Sequence, residues 1–229
     1  QADGIFLLAY DTARNDLQIL MIPRDSMTEI TLTDLNGNVL GKEVQHLTLA
    51  YAYGDGRELS CERTMEAVSN LLGGLSIDHY MAADVDVINT LNDRVGGVTV
   101  TIPQDGMEKK DPAFVKGATL TLRGEQAEAF VRYRDIEERY SALYRMERQK
   151  EYITGFFDVV KEGTKRDGRM VEELFGLVED HMITDMNKGE YLKIAMDALA
   201  MDNLDEDGFH TVPGKAVSTD VYDEFYADQ

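Results

Sequence analysis

The chain has 229 residues, with 43 Asp and Glu against 23 Lys and Arg, and a formal net charge of −20. That excess of acid argues against nucleic-acid binding, which needs a basic footprint, and against adhesion to anionic lipid by charge. Hydrophobic residues at 43% fit a soluble globular protein with a real core, and the single cysteine, Cys61, excludes an internal disulfide and a cysteine-based metal site. His46, His79, His181 and His210 are scattered without ligand spacing. No run of about eighteen apolar residues marks a membrane span. Gln1 opens directly into a strand-like run, so the chain reads as trimmed, with any targeting or membrane-anchoring segment expected upstream.

Gly4 to Tyr10 and Leu17 to Ile22 are apolar runs of strand length, and Asp11 to Asp16 between them has turn composition; together they predict an antiparallel pair. Pro23 ends the second strand, leaving Arg24-Asp25-Ser26 on a loop, where charged residues are either functional or simply solvated. Met27 to Thr33 alternates, Asn36-Gly37-Asn38 is a hairpin turn, and Val39-Leu40 resumes a strand. His46 to Tyr53 reads as a short helix or turn. Ser60 is the expected N-cap of a helix bearing Met65, Val68, Leu71 and Leu72, stopped by Gly73-Gly74. Ile77 to Val85 reads as a strand passing towards a short helix through Leu91, and Val98 to Ile102 as a β-branched strand ended by Pro103. Gln104 to Lys116 looks like a loop. Arg145 to Val160, Met170 to Val178 and Tyr191 to Met201 are amphipathic helices, and Phe209 to Val212, Val217 and Val221 to Tyr226 are late strands. No repeat or Pro/Ser-rich linker appears, so a single domain spanning 1–229 is expected: an α/β fold with a central mixed sheet sandwiched between helices.

Leu122 to Gln149 concentrates arginine in this acidic chain. A short helix, Glu125 to Phe130, is expected to lead into an extended Val131-Arg132-Tyr133-Arg134, on which Arg132 and Arg134 point to one face. Arg145, Arg148 and Gln149 share a face of the following helix. Guanidinium forks aimed at one spot suit phosphate or carboxylate. The plainer alternative is a set of surface arginines paired with Asp135, Glu137 and Glu138. Asp135 to Tyr144 is too polar for core and reads as a mobile segment beside the site.

Several separated motifs resemble those of the LytR–CpsA–Psr family, in the same order. Ile22-Pro23-Arg24-Asp25-Ser26 looks like its IPRD(S/T) motif, Leu49 to Gly54 like its AAYAYGG segment, and Ile77-Asp78-His79-Tyr80 like its (I/V)DHY element. Gly96 to Val100, Leu122 to Arg134 and Arg145-Met146-Glu147-Arg148-Gln149 match later elements, so the likeness spans about residues 1–155 and the final hairpin. The resemblance implies a greasy pocket for a polyprenyl chain with arginines at its mouth. It implies an extracytoplasmic phosphotransferase at the bacterial cell membrane, anchored by an N-terminal helix. Such an enzyme moves a glycopolymer, of teichoic acid or capsular polysaccharide type, from a polyprenyl pyrophosphate carrier to peptidoglycan in cell wall biogenesis, assisted by Mg²⁺. A non-catalytic polyprenyl-phosphate-binding scaffold or regulator of envelope assembly is the alternative. The family's older label, transcriptional attenuator, fits an acidic chain poorly.

By motif position, Asp3 is expected to be the metal ligand or the carboxylate that activates the acceptor, and Arg24, Arg132, Arg134 and Arg145 to hold phosphates. Gln149, Arg148 and Asp25 are expected to serve the substrate, Gln149 by bonding phosphate or supporting an arginine and Arg148 as a partner behind it. The chain departs from the family's pattern at Gln1 (usually Arg), His46 (Lys), Thr48 (Asn), Ala142 (Asp) and Tyr144 (Gly), a set of changes that implies a weaker electrostatic grip. Removing one donor from a transition-state site commonly costs about 2.7–4 kcal/mol.

Overall fold

The computed structural model describes residues 1–34, 36–135, 138–201 and 208–228. Strands β1 (Ile5–Asp11) and β2 (Asp16–Ile22) pair antiparallel from Ile5↔Ile22 to Asp11↔Asp16, as the turn composition predicts. Asp11 Oδ1 closes the turn by accepting from the amides of Ala13 and Arg14. Late strand β9 (Phe209–Thr211) adds to β2 in parallel, making a mixed three-stranded sheet.

Helices cover both faces of this sheet because β2 alternates apolar side chains across it. Leu17, Ile19 and Met21 pack on α4 (Ser141–Arg166) and α6 (Lys188–Ala200), meeting Met146, Phe157 and Ala198. Leu20 and Ile22 face the other way, onto Ala67 and Val68 of α1 (Glu58–Leu71). Met21 is fully buried, a placement that stabilises by roughly 1.5–3 kcal/mol. The expected sandwich is therefore present. The remaining strands form two-stranded ladders beside it: β3 (Met27–Thr33) with β4 (Val39–His46), β5 (Met81–Ala83) with β8 (Met182–Thr184), β6 (Thr99–Thr101) with β7 (Thr119–Thr121), and β10 (Gly214–Ser218) with β11 (Asp223–Ala227). A bridge from Ser26 to Phe225 ties the last ladder to β3.

Several local expectations differ from the structure. Ser60 lies inside α1; Asp55 takes the capping role, accepting from the amides of Arg57 and Ser60, while Ser60 Oγ accepts from Gly56. The strand expected over 77–85 is confined to β5, because only that part finds a partner, and α2 (Val87–Arg94) follows. The polar loop 104–116 carries two fully buried side chains, Met107 and Phe114, which pack against Phe130 of α3 (Gln126–Arg132). Arg132 closes α3 and does not stand on a strand. Helix α5 (Met170–Val178) lies where periodicity places it. Among the described residues, no helix is long and apolar enough to cross a membrane.

Candidate active site

The Arg24 loop is held from two sides. Pro23 O accepts from both the amide and the Oγ of Ser26, which tightens the turn. Thr48 N donates to Arg24 O and Leu47 N to Ser26 O, while Phe225 N donates to Asp25 O. The guanidinium leaves this rigid turn with an 11% exposed side chain and donates through Nη1 to Asp3 Oδ1 at 2.5 Å.

Arg145 reaches the same oxygen from α4. Its Nη1 lies 3.2 Å from Asp3 Oδ1, and its Nη2 donates to the Asp3 carbonyl at 3.1 Å. Arg132 approaches the other carboxylate oxygen, Nε to Oδ2 at 3.8 Å, while its Nη1 donates to Glu128 at 2.7 Å. Three of the four expected phosphate arginines thus converge on Asp3. Arg134 stands aside, donating from Nε to Ser141 Oγ at 2.7 Å. Asp25 sits 3.7 Å from Arg24 Nε, and Gln149 lines the cavity beside Asp3 while donating to Val131 O. Arg148 has its guanidinium on Phe130 O, Tyr133 O and Gln104 Oε1, at 1% exposure, so it belongs to the frame behind the site and not to its opening. Of the acids considered as plain surface partners, Asp135 pairs with Lys109, and Glu137 lies outside the described residues.

The electrostatics favour an anion. Arg24 Nε and Arg145 Nε are buried donors with no hydrogen-bond acceptor among the described residues. An unmet buried donor costs about 1–3 kcal/mol, more when charged, and an oxyanion would supply the missing acceptor. Burial and the neighbouring charge of Arg24 push the pKa of Arg145 down from its ordinary value, with Asp3 opposing. A second anion relieves that repulsion.

The fit to a divalent cation rests on one group. Asp3 Oδ2 accepts no hydrogen bond among the described residues, and no cluster of three or more His, Cys, Asp or Glu there could hold a metal. Magnesium is bound by one or two carboxylates together with substrate phosphates, so Asp3 suits an ion that arrives with its phosphate.

The departures have physical counterparts. Gln1 Oε1 accepts from Arg24 Nη2 at 3.2 Å, where an arginine would repel it. Thr48 Oγ1 holds the Ala2 carbonyl at 2.8 Å, fixing the residue before Asp3. His46 packs edge-on against Tyr222 with ring centroids 5.8 Å apart. Ala142 lines the cavity and Tyr144 is 46% exposed. Among the described residues, the cavity beneath Asp3 and Arg24, where the greasy pocket is expected, measures about 20 Å³, room for roughly one water. Its lining joins the charged Asp3, Arg24 and Asp25 to apolar Ile5, Ile22, Leu143 and Met146, and Ala216 and Phe225 of the terminal hairpin complete it.

The sequence profile of the LytR_cpsA_psr family matches residues 1–229. The chain belongs to the LytR_cpsA_psr family. Over 216 residues it is 31% identical to the polyisoprenyl-teichoic acid–peptidoglycan teichoic acid transferase TagU of Enterococcus faecalis, covering 85% of this chain and 65% of that protein. Over 163 residues it is 29% identical to the like-named transferase TagV of Bacillus subtilis, covering 69% of this chain and 38% of that one. The chain thus spans less than two thirds of these relatives. The crystal structure of B. subtilis TagV superposes with a TM-score of 0.71 at 22% identity, over 99% of this chain and 83% of that one, a likeness of fold. The α/β fold expected of a LytR_cpsA_psr member is the fold observed.

Proposed function

We propose that this LytR_cpsA_psr chain is the phosphotransferase part of a cell-envelope enzyme. It would move a teichoic-acid-type glycopolymer from a polyprenyl diphosphate carrier to peptidoglycan, outside the bacterial cell and at its membrane. The observation that carries this reading is the convergence of Arg24, Arg145 and Arg132 on Asp3, with two buried guanidinium Nε donors left without acceptors. The names of the similar TagU and TagV proteins give the substrate class.

In the proposed reaction an acceptor hydroxyl of peptidoglycan attacks the phosphorus nearest the glycan. The P–O bond to the bridging oxygen breaks, a new phosphodiester forms, and polyprenyl phosphate leaves with the bridging oxygen. Arg24 and Arg145 neutralise the charge that collects on the non-bridging and leaving oxygens, the main requirement of phosphoryl transfer. They remain cationic in a buried site because guanidinium resists deprotonation. Asp3 accepts the proton of the attacking hydroxyl; it is also the residue that would hold Mg²⁺, which would supply further charge neutralisation when bound. The apolar side chains Ile22, Leu143, Met146 and Phe225 mark where the first isoprene units would lie, in a cavity that has to widen to take them.

The test is transfer of a labelled glycan from a polyprenyl-diphosphate-linked donor to peptidoglycan, with release of polyprenyl phosphate. Mg²⁺-dependent transfer that Arg132→Ala abolishes is the expected result. Binding of the carrier without turnover would favour a carrier-lipid scaffold, a reading with support in the altered positions Ala142 and Tyr144.

A further inference from the structure

Among the described residues Arg148 heads the fully buried side chains, at 1% exposure, and its hydrogen bonds there go to none of the groups gathered at Asp3. Burying a guanidinium is costly unless its donors are satisfied. Here Nε donates to Phe130 O at 2.9 Å, Nη1 to Gln104 Oε1 at 2.8 Å, and Nη2 to Tyr133 O. The next residue, Gln149, donates from Nε2 to Val131 O at 3.3 Å. Helix α3 has only seven residues, Gln126–Arg132, too few to be stable alone. The last carbonyls of a helix lack partners within it. Neighbouring side chains of α4 supply donors to Phe130, Val131 and Tyr133, and a cation at a helix C-terminus is also favoured by the peptide dipoles. Burial and the charge of Arg145 hold the Arg148 pKa down at about 10, which still leaves it cationic near neutral pH.

Arg132 and Arg134 flank Tyr133, whose carbonyl is held by Arg148 and whose hydroxyl donates to Gly106 O at 3.1 Å. We infer that Arg148 is a positioning residue: its fork locks the carboxyl end of α3 and so fixes where Arg132 presents its charge beside Asp3 to a diphosphate, and the direction in which Arg134 leaves the helix end. One turn earlier on α4, Arg145 grips Asp3, so a single helical turn sets both halves of the site. The inference deepens the proposed function and rests on it for the identity of the ligand. A lysine cannot replace the fork, because its ammonium cannot reproduce the planar spacing of three acceptors.

The test compares Arg148→Lys and the milder Gln104→Leu with wild type, each checked for native circular dichroism. Calorimetric binding of geranylgeranyl diphosphate is measured in each, and again with Arg132→Ala/Arg134→Ala added. Arg148→Lys is expected to weaken binding roughly tenfold, the size of one lost charge-assisted hydrogen bond, and to add nothing once both arginines are gone. Gln104→Leu is expected to give a smaller loss of the same kind. An unchanged affinity, or an equal loss in both backgrounds, overturns the inference. If wild type binds no diphosphate, the proposed function fails, and amide exchange in the free protein decides the positioning role. Faster exchange confined to residues 131–135 in Arg148→Lys supports it, and a uniform rise along the chain overturns it.

Discussion

Arg24 donates through Nη1 to Asp3 Oδ1 at 2.5 Å, so in the free protein the chain's own carboxylate engages the guanidinium that the proposed function assigns to a phosphate oxygen. Arg145 shares that oxygen at 3.2 Å. Asp3→Asn removes the carboxylate that Arg24 and Arg145 share, leaving Arg24 with the looser contact to Asp25 at 3.7 Å. It is expected to bind a polyprenyl diphosphate about tenfold more tightly in the absence of Mg²⁺, since one charge-assisted contact no longer competes. The same change is expected to abolish Mg²⁺-dependent transfer. Calorimetry with and without Mg²⁺ checks the first outcome; weaker binding in both conditions would show that Asp3 does not compete for the arginines.

Arg145 is 6% exposed and its Nε faces no acceptor among the described residues. Arg145→Ala is expected to weaken diphosphate binding by about 2–4 kcal/mol, the usual cost of removing one partner from a buried charged contact. Arg145→Lys is expected to recover little, because an ammonium cannot reach Asp3 and a phosphate together as the fork does. A lysine variant that binds like wild type would contradict this geometry.

Much of the scaffold was legible because its signals are local. The β1–β2 and β3–β4 hairpins rest on turns that their own side chains close, with Asp11 accepting from Ala13 and Arg14, and Asp34 from Asn36 and Asn38. The helices follow apolar spacing. The family resemblance grouped Arg24 with the arginines of Leu122 to Gln149, and the structure brings Arg24, Arg132 and Arg145 to Asp3 while Arg134 and Arg148 bond elsewhere. The rest depends on partners distant in sequence. Val131 to Arg134 alternates like a strand, yet α3 extends through Arg132, its end closed by Arg148 and Gln149. Met107 and Phe114 sit in a polar loop, and only the elements around them make them core. Nothing near Arg24 announces that Phe225 will line the cavity beneath it.

The join between the terminal hairpin and α4 can be probed directly. Tyr140, just before α4, has a left-handed φ of 59°, and its amide donates to Asp223 Oδ2 at 2.6 Å. A non-glycine residue held there costs roughly 1–2 kcal/mol, so the bond to Asp223 helps to hold the strained turn. Asp223→Ala is expected to destabilise the protein by about 1.5–3 kcal/mol, as a lost hydrogen bond to a charged group does. Thermal melting checks this; an unchanged melting temperature would mean the turn is held by other contacts.

Cys61 gives a prediction for alkaline pH. Burial, reinforced by Glu58 and Asp55, pushes its thiol up to about 11 from 9.0. The unfolded chain then loses this proton first. The contribution is complete below pH 9 and is lost as pH rises towards 11. Cys61→Ala is expected to flatten the fall in stability over that window. At pH 8 the thiol is 4% exposed and protonated, so alkylation of the native protein is expected to be slow and to accelerate in urea. Fast native labelling would contradict this placement.

The most direct measurement is calorimetric titration of geranylgeranyl diphosphate, geranylgeranyl monophosphate and geranylgeraniol into the wild-type chain and into Arg24→Ala/Arg145→Ala. Diphosphate is expected to bind most tightly, the alcohol weakly, and the double variant to lose the difference between them. Equal binding of all three ligands, or a double variant that still prefers diphosphate, would contradict the assignment of Arg24 and Arg145 as the phosphate grip.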